Sequence, residues 1–153
     1  MYEKELQRIL TASQNNALTF FVGAGVSALS GAPTWKRLIH AISDRLGQAR
    51  KDEYSSDEYL QIPQMFYYSL GENKEEYYTF VKAQLHSSPM LPNVIHREML
   101  NLNPVSFITT NYDTLLEDAA VQYCQSFKVV SRDEDVPTIF GDRFILKLHG
   151  DFK

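Results

Sequence analysis

The sequence predicts an α/β fold, a mainly parallel sheet with helices on both faces, and three observations lead there. A short apolar run at residues 18–22 passes through a Gly-Ala-Gly turn into an amphipathic helix. A second apolar run, residues 105–109, passes through Asn-Tyr-Asp into another helix. Two further apolar runs follow at 127–130 and 144–148, separated by an acidic, proline-containing loop at 132–137. Strand, turn and helix repeated in this way make a Rossmann-like sheet, which receives its ligands beyond the carboxyl ends of the strands.

Each element has a local reason. Tyr2, Leu6, Ile9 and Leu10 recur at helical spacing and predict a leading helix, which Asn15 and Asn16 end. After the strand at 18–22, Gly23 and Gly25 are expected at positive φ, in a tight turn that lets a pyrophosphate approach the backbone where no Cβ intervenes. Small Ala24 and Ser27 keep that pocket open. Pro33 and Thr34 start a helix carrying Trp35, Leu38, Ile39, Ile42 and Leu46, and Gly47 stops it. From about 55 to 102 there is no strand signal. Tyr59, Phe66, Tyr67, Leu70, Tyr77, Phe80, Val81 and Leu85 instead suggest several short helices, a helical insertion whose crowded tyrosines read as core packing. The helix after the second strand is marked by Leu115, Leu116, Ala119 and Ala120.

Composition narrows the function classes. The 153 residues suit one domain with a single substantial core. A net charge of −4 with no long basic block disfavours a nucleic-acid surface. Cys124 is the only cysteine, which excludes an intramolecular disulfide and a Cys-x-x-Cys metal site, and the apolar helix before it reads as burying the thiol. Nothing at the N-terminus reads as a signal peptide or membrane span, so a cytoplasmic setting is expected.

Three polar clusters fall at predicted strand ends: Gly-Ala-Gly-Val-Ser (23–27), Thr-Thr-Asn-Tyr-Asp (109–113) and His-Gly-Asp (149–151). In a parallel sheet all three face one cleft. An ordinary dinucleotide fold would add an acid roughly 20 residues past the glycines to hold the ribose. The acid near that distance, Asp44, falls inside a predicted helix, which disfavours hydride-transfer chemistry.

The ordered set GAGVSALSGAP, TTNYD and LHG resembles the sirtuin family, whose members carry a GAGxS turn with SGxP, a TQNxD motif and an HG dipeptide in that order. Departures are equally informative. The paired Cys-x-x-Cys zinc ligands of deacylating sirtuins are missing, GIPDFR is replaced by GAPTWKR, and Thr110 stands where the family has Gln. The pattern is similar to the divergent sirtuin-like domains of bacterial anti-phage defence proteins, many of which hydrolyse NAD. The resemblance implies one incomplete domain over residues 1–153, truncated before the strands that hold the adenosine half of NAD. It also implies NAD as substrate with no zinc, an NAD hydrolase acting as a defence effector, self-association, and further domains or a defence-system partner.

Residue roles follow from the same resemblance. Asn111 positions the attacking water or a ribose hydroxyl, and His149 acts as base toward one of them, a task that suits imidazole near neutral pH. Asp113 holds the nicotinamide carboxamide, while Gly23, Ala24, Gly25, Ser27, Pro33, Trp35 and Thr110 line the cofactor pocket. The reaction breaks the bond between nicotinamide and ribose through a transition state with oxocarbenium character. Its leaving group departs neutral, so no strong general acid is required. Ordinary alternatives stand beside each role. Asn111 and Asp113 could cap the helix that follows, and His149 could be structural, as His40 and His96 are read to be. His86 is read as a helix-closing residue. Two other functions also stay open: an NAD or nucleotide sensor without turnover, and an NAD-dependent protein deacylase.

Overall fold

A computed structural model of the chain describes residues 2–85, 89–138 and 141–151, and His86 lies outside them. The chain divides into two compact units, Met1–Ser30 with Met90–Lys153, and Gly31–Pro89.

The first unit holds the sheet. Its strands are β1 (Thr19–Val22), β2 (Ser106–Thr109), β3 (Lys128–Val130) and β4 (Phe144–Lys147), all parallel, in the order β1-β2-β4-β3. The predicted strands are therefore in place, and the fold is α/β with a parallel sheet. Around the sheet are α1 (Glu3–Gln14), α2 (Ala24–Ala28), α6 (Val94–Asn101) and α7 (Leu115–Gln122). The acidic loop winds into a 3-10 turn over Asp133–Thr138.

Register decides what the strand ends carry. Val22 pairs with Thr109, and Thr109 with Lys147, so the carboxyl ends of three strands lie side by side. On the same face Phe20, Phe107 and Ile145 form a row. Phe107 and Ile145 are fully buried, with Met99 and Leu100 of α6 and Leu116 and Ala119 of α7 in the same core cluster. Phe20 stacks on Phe107 at 5.8 Å between ring centroids, and Phe127 tilts against Phe107 at 5.4 Å. Burying this many large apolar groups, at about 1.5–3 kcal/mol each, fixes the sheet's level against α6 and α7. The stripe on α1 behaves otherwise: Tyr2, Leu6, Ile9 and Leu10 stay exposed, so that helix rests on its local pattern rather than on the core.

The second unit is helical, with α3 (Trp35–Arg45), α4 (Ser56–Ser69) and α5 (Lys74–Leu85). Thr34 caps α3 by accepting from the Arg37 N–H, and Ser55 with Glu58 forms a capping box on α4. Leu38, Ile39 and Ile42 are buried on α3, and Phe66 packs against Phe80 and Tyr77. The crowded tyrosines divide. Tyr67 meets Tyr77 edge-on at 5.8 Å, while Tyr68 and Tyr78 are exposed.

Two sequence expectations are corrected. Gly23 is extended (φ −114°, ψ 178°) and caps α2, while Gly25 lies inside α2, so neither adopts positive φ. The chain leaves β1 straight into a short helix, which removes the need for a left-handed turn. The left-handed glycines among the motifs are Gly31 (φ 82°) and Gly150 (φ 78°), the latter reversing the chain after His149. Cys124 is exposed, not buried: α7 ends at Gln122, and Cys124 follows in a left-handed turn (φ 53°) at the rim of a cleft with Val121, Gln125 and Phe127.

Candidate functional site

Ser27 is the centre of the site. It is buried on α2, its hydroxyl donates to Asp113 Oδ2 at 2.7 Å, and it accepts from Asn111 Nδ2 at 3.0 Å. One hydroxyl thus joins the glycine motif to the Asn-Tyr-Asp motif. The single Ser27 proton goes to the carboxylate, so its lone pair fixes which end of the Asn111 amide faces it. Expected to keep the pocket open and line it, Ser27 also joins the two motifs.

The Asn111 backbone is held as firmly. Its N–H donates to Thr109 Oγ1 at 3.0 Å, and that hydroxyl donates to the Val22 carbonyl at 2.9 Å. Thr109 therefore ties the last residue of β1 to the turn after β2, in a fully buried setting. Asp113 does two things at once. Its Oδ1 accepts the Leu115 N–H at 3.1 Å, which serves the start of α7, while Oδ2 holds Ser27. Asn111 makes no such cap.

The third motif arrives along β4. The Leu148 N–H donates to the Thr109 carbonyl at 2.9 Å, extending the ladder by one residue. His149 is exposed, and its ring lies 5.9 Å from that of Tyr112. Beneath it Lys147 is buried, its ammonium donating to the Asp113 carbonyl at 2.9 Å and to Glu117 Oε1 at 3.1 Å. Burial holds the Glu117 carboxyl above its usual range, and the Lys147 charge opposes that rise.

Behind α2 stands α6. Asn93 caps α6 through the Ile95 N–H, and its amide donates to the Val26 carbonyl and Ser30 Oγ, both at 2.8 Å. His96 Nδ1 accepts the Asn93 N–H, so the buried ring is neutral. Burial lowers its proton affinity, and Asp113 opposes that shift.

Of the residues expected from sequence, Gly23, Ala24, Gly25, Ser27, Thr110, Asn111, Asp113 and His149 lie in the sheet-bearing unit, at or just past strand ends. Pro33 and Trp35 lie in the helical unit, where Trp35 is exposed at the start of α3. Lys147 and Asn93 were missed, Thr109 was read only as part of the Thr-Thr-Asn-Tyr-Asp cluster with no role of its own, and His96, read as structural, is buried and accepts the Asn93 N–H. Thr109 and Lys147 sit inside strands, where a hydroxyl or ammonium reads as an ordinary surface group. Register with β1 and β4 is what gives them away.

The glycines test the fit of a nucleotide. Neither backbone conformation nor neighbours demand glycine at 23 or 25, because a Cβ built at either would meet no heavy atom within 4 Å. That leaves room along the backbone for a group from outside the chain. Among the described residues no group of three or more His, Cys, Asp or Glu could hold a metal ion, and no helix is long and apolar enough to cross a membrane.

Residues 105–153, which carry the second and third motifs, match the family model of the SIR2-like domain. That stretch is SIR2-like. It is 42% identical over 149 residues to Defense-associated sirtuin 2 of Bacillus subtilis, covering 97% of this chain and 14% of that protein. It is 25% identical over 150 residues to the NAD(+) hydrolase ThsA of Cytobacillus dafuensis, covering 97% and 29% respectively. An NAD-dependent protein deacetylase of Staphylococcus epidermidis is 32% identical over 124 residues, with 78% of this chain and 47% of the deacetylase covered. The chain thus spans less than half the length of each of these relatives.

Proposed function

We propose that this chain carries the nucleotide-cleaving site of an NAD hydrolase, which splits NAD into nicotinamide and ADP-ribose, and that it serves as an effector in bacterial anti-phage defence. The observation that carries the reading is the Ser27 hydroxyl joining Asn111 to Asp113, with the His149 ring a few ångströms from Tyr112 between them in sequence. The likeness to a defence-associated sirtuin over almost the whole chain, and to an NAD hydrolase over the same span, supports the biological role.

The chemistry needs little acid or base strength. Departing nicotinamide is neutral, so the site has to hold the ribose, orient one oxygen nucleophile and take up its proton. Asn111 Nδ2 is committed to Ser27, which turns the carboxamide oxygen toward a ribose hydroxyl or water. The exposed His149 ring takes the proton. Asp113 already accepts two hydrogen bonds, and a carboxylate has about four acceptor sites, so it can also receive the nicotinamide carboxamide N–H. Gly23, Ala24 and Gly25 offer backbone to the pyrophosphate, with Thr110 as a further contact. NAD is the substrate and zinc has no part. Self-association and further domains or a defence-system partner belong to the same reading and rest on the family alone, and a cytoplasmic setting is proposed with them.

The test is nicotinamide release from NAD by the complete natural chain, beside Asn111→Ala and His149→Ala variants of matched stability. Release by the parent, with a loss of at least about 100-fold in both variants, is the expected result. Bound but stable NAD, with or without candidate activators, would instead favour a nucleotide sensor. Turnover that requires an acylated peptide would favour a deacylase, as in the staphylococcal relative.

A further inference from the structure

A fully buried ammonium costs several kcal/mol unless its surroundings compensate. Lys147, the last residue of β4, has a side chain that is 0% exposed. Its Nζ has acceptors from three segments: the Tyr112 carbonyl at 3.4 Å and Asp113 carbonyl at 2.9 Å, Glu117 Oε1 on α7 at 3.1 Å, and Asp151 Oδ2 at 3.4 Å. The first two belong to the turn that carries Asn111 and Asp113, and Asp151 lies two residues beyond His149. An arginine's rigid fork could not converge on these points as a single ammonium does.

We propose that Lys147 is a positioning residue that fixes the Asn111–Asp113 turn and the His149–Asp151 turn relative to one another, acting on NAD cleavage through Asn111 and His149. This rests on the reading of the site as one that cleaves NAD. Because the contacts to the first turn are to main-chain carbonyls, the lysine sets where the backbone lies whatever side chains that turn carries. On the second turn its hold is the Asp151 carboxylate, next to the left-handed Gly150. The reacting groups come from different strands, so their separation is set by whatever spans the two turns. A misplacement of about 1 Å in such a pair costs on the order of 100-fold in rate. The glycine motif keeps a hold that passes through neither turn, from Asn93 to the Val26 carbonyl and Ser30, so nucleotide affinity is expected to survive far better than turnover.

The test uses Lys147→Met/Glu117→Gln, which removes the cation and one of the two buried carboxylates it pairs with, leaving Asp151 in place, and Asp151→Asn, which loosens only the second turn. Both are made in the complete natural chain. Backbone amide exchange is followed at 111–114 and 148–151, with 106–108 as the fold control, alongside kcat and Kd for NAD. In the double variant both turns are expected to exchange faster while 106–108 stay protected, with kcat down about 100-fold and Kd within about threefold. Asp151→Asn is expected to speed exchange at 148–151 alone and to lower kcat. If the double variant unfolds, Asp151→Asn decides by itself. Unchanged exchange in the turns would overturn the proposal, as would loosened turns with full kcat, or a kcat loss matched by an equal loss of affinity. If the parent releases no nicotinamide, the cleavage reading fails, and exchange at the two turns still decides whether Lys147 joins them.

Discussion

His96 accepts the Asn93 N–H through Nδ1 while buried, which makes its neutral form part of the folded site. Its folded value is depressed below the ordinary one near 6.5, so the unfolded chain takes up a proton at a pH where the folded chain refuses it. The stability this gives is complete above about pH 6.5 and is lost as pH falls below it. Glu117 works the other way: its raised value makes the folded chain bind a proton first, so it gains stability as pH falls toward the carboxylate range. Gln at position 96 can still accept the Asn93 N–H in the capping box but does not titrate. His96→Gln is therefore expected to flatten the fall in melting temperature between about pH 7 and 5.5, measured against the parent. Thr109 gives a second prediction of this kind. Thr109→Val keeps the shape and deletes the hydroxyl that receives the buried Asn111 N–H, which costs about 1–3 kcal/mol. Thr109→Ser keeps the hydroxyl, and comparing the two by urea unfolding isolates the bond.

Among the elements, α6 ties down the glycine motif. Asn93 uses its oxygen to cap α6 and its nitrogen to hold the Val26 carbonyl and Ser30, so the two jobs can be separated. Asn93→Asp retains the cap and loses the donor, while Asn93→Ala loses both. Asp is expected to cost on the order of 1 kcal/mol and Ala about 1 kcal/mol more in urea unfolding, with NAD affinity falling in both. The strands were legible because runs such as Phe107-Ile108 and Phe144-Ile145-Leu146 are short, apolar and bounded by polar turns. Thr34 and Gly47 likewise marked the ends of α3, through a side-chain cap and a left-handed stop (φ 67°). Glycine was misread because its presence reports a demand without saying whose. At Gly150 the demand is the backbone's own (φ 78°), whereas at Gly23 and Gly25 it is neither backbone nor packing. Cys124 was misread because an apolar helix before a residue says nothing about a chain that reverses immediately afterward. The roles of Ser27, Thr109 and Lys147 arise only once three strand ends stand in register, and no local pattern encodes that.

For the molecule as a whole, the same glycines separate the free protein's stability from its stability with nucleotide. A ligand that binds only the folded state adds about 2.7 kcal/mol at a hundredfold excess over Kd. For a domain of this size that corresponds to roughly 5–10 °C in melting temperature. A Cβ at 23 or 25 meets nothing within 4 Å inside the chain, so alanine clashes at neither, although at Gly23, the N-cap of α2, it should cost up to about 1 kcal/mol of capping preference. At Gly25, inside α2, it should add up to about 1 kcal/mol of helix propensity. If the backbone at these positions receives the pyrophosphate, each Cβ stands in the ligand's path. Without NAD, Gly25→Ala in the complete natural chain should then melt at or above the parent and Gly23→Ala no more than a few degrees below it, and both should lose most of the rise that NAD gives the parent. Scanning fluorimetry across an NAD titration measures both quantities in one experiment. A Gly25→Ala variant that melts lower without NAD would assign that glycine to the fold, and either variant keeping the full rise would remove the nucleotide from this stretch of backbone.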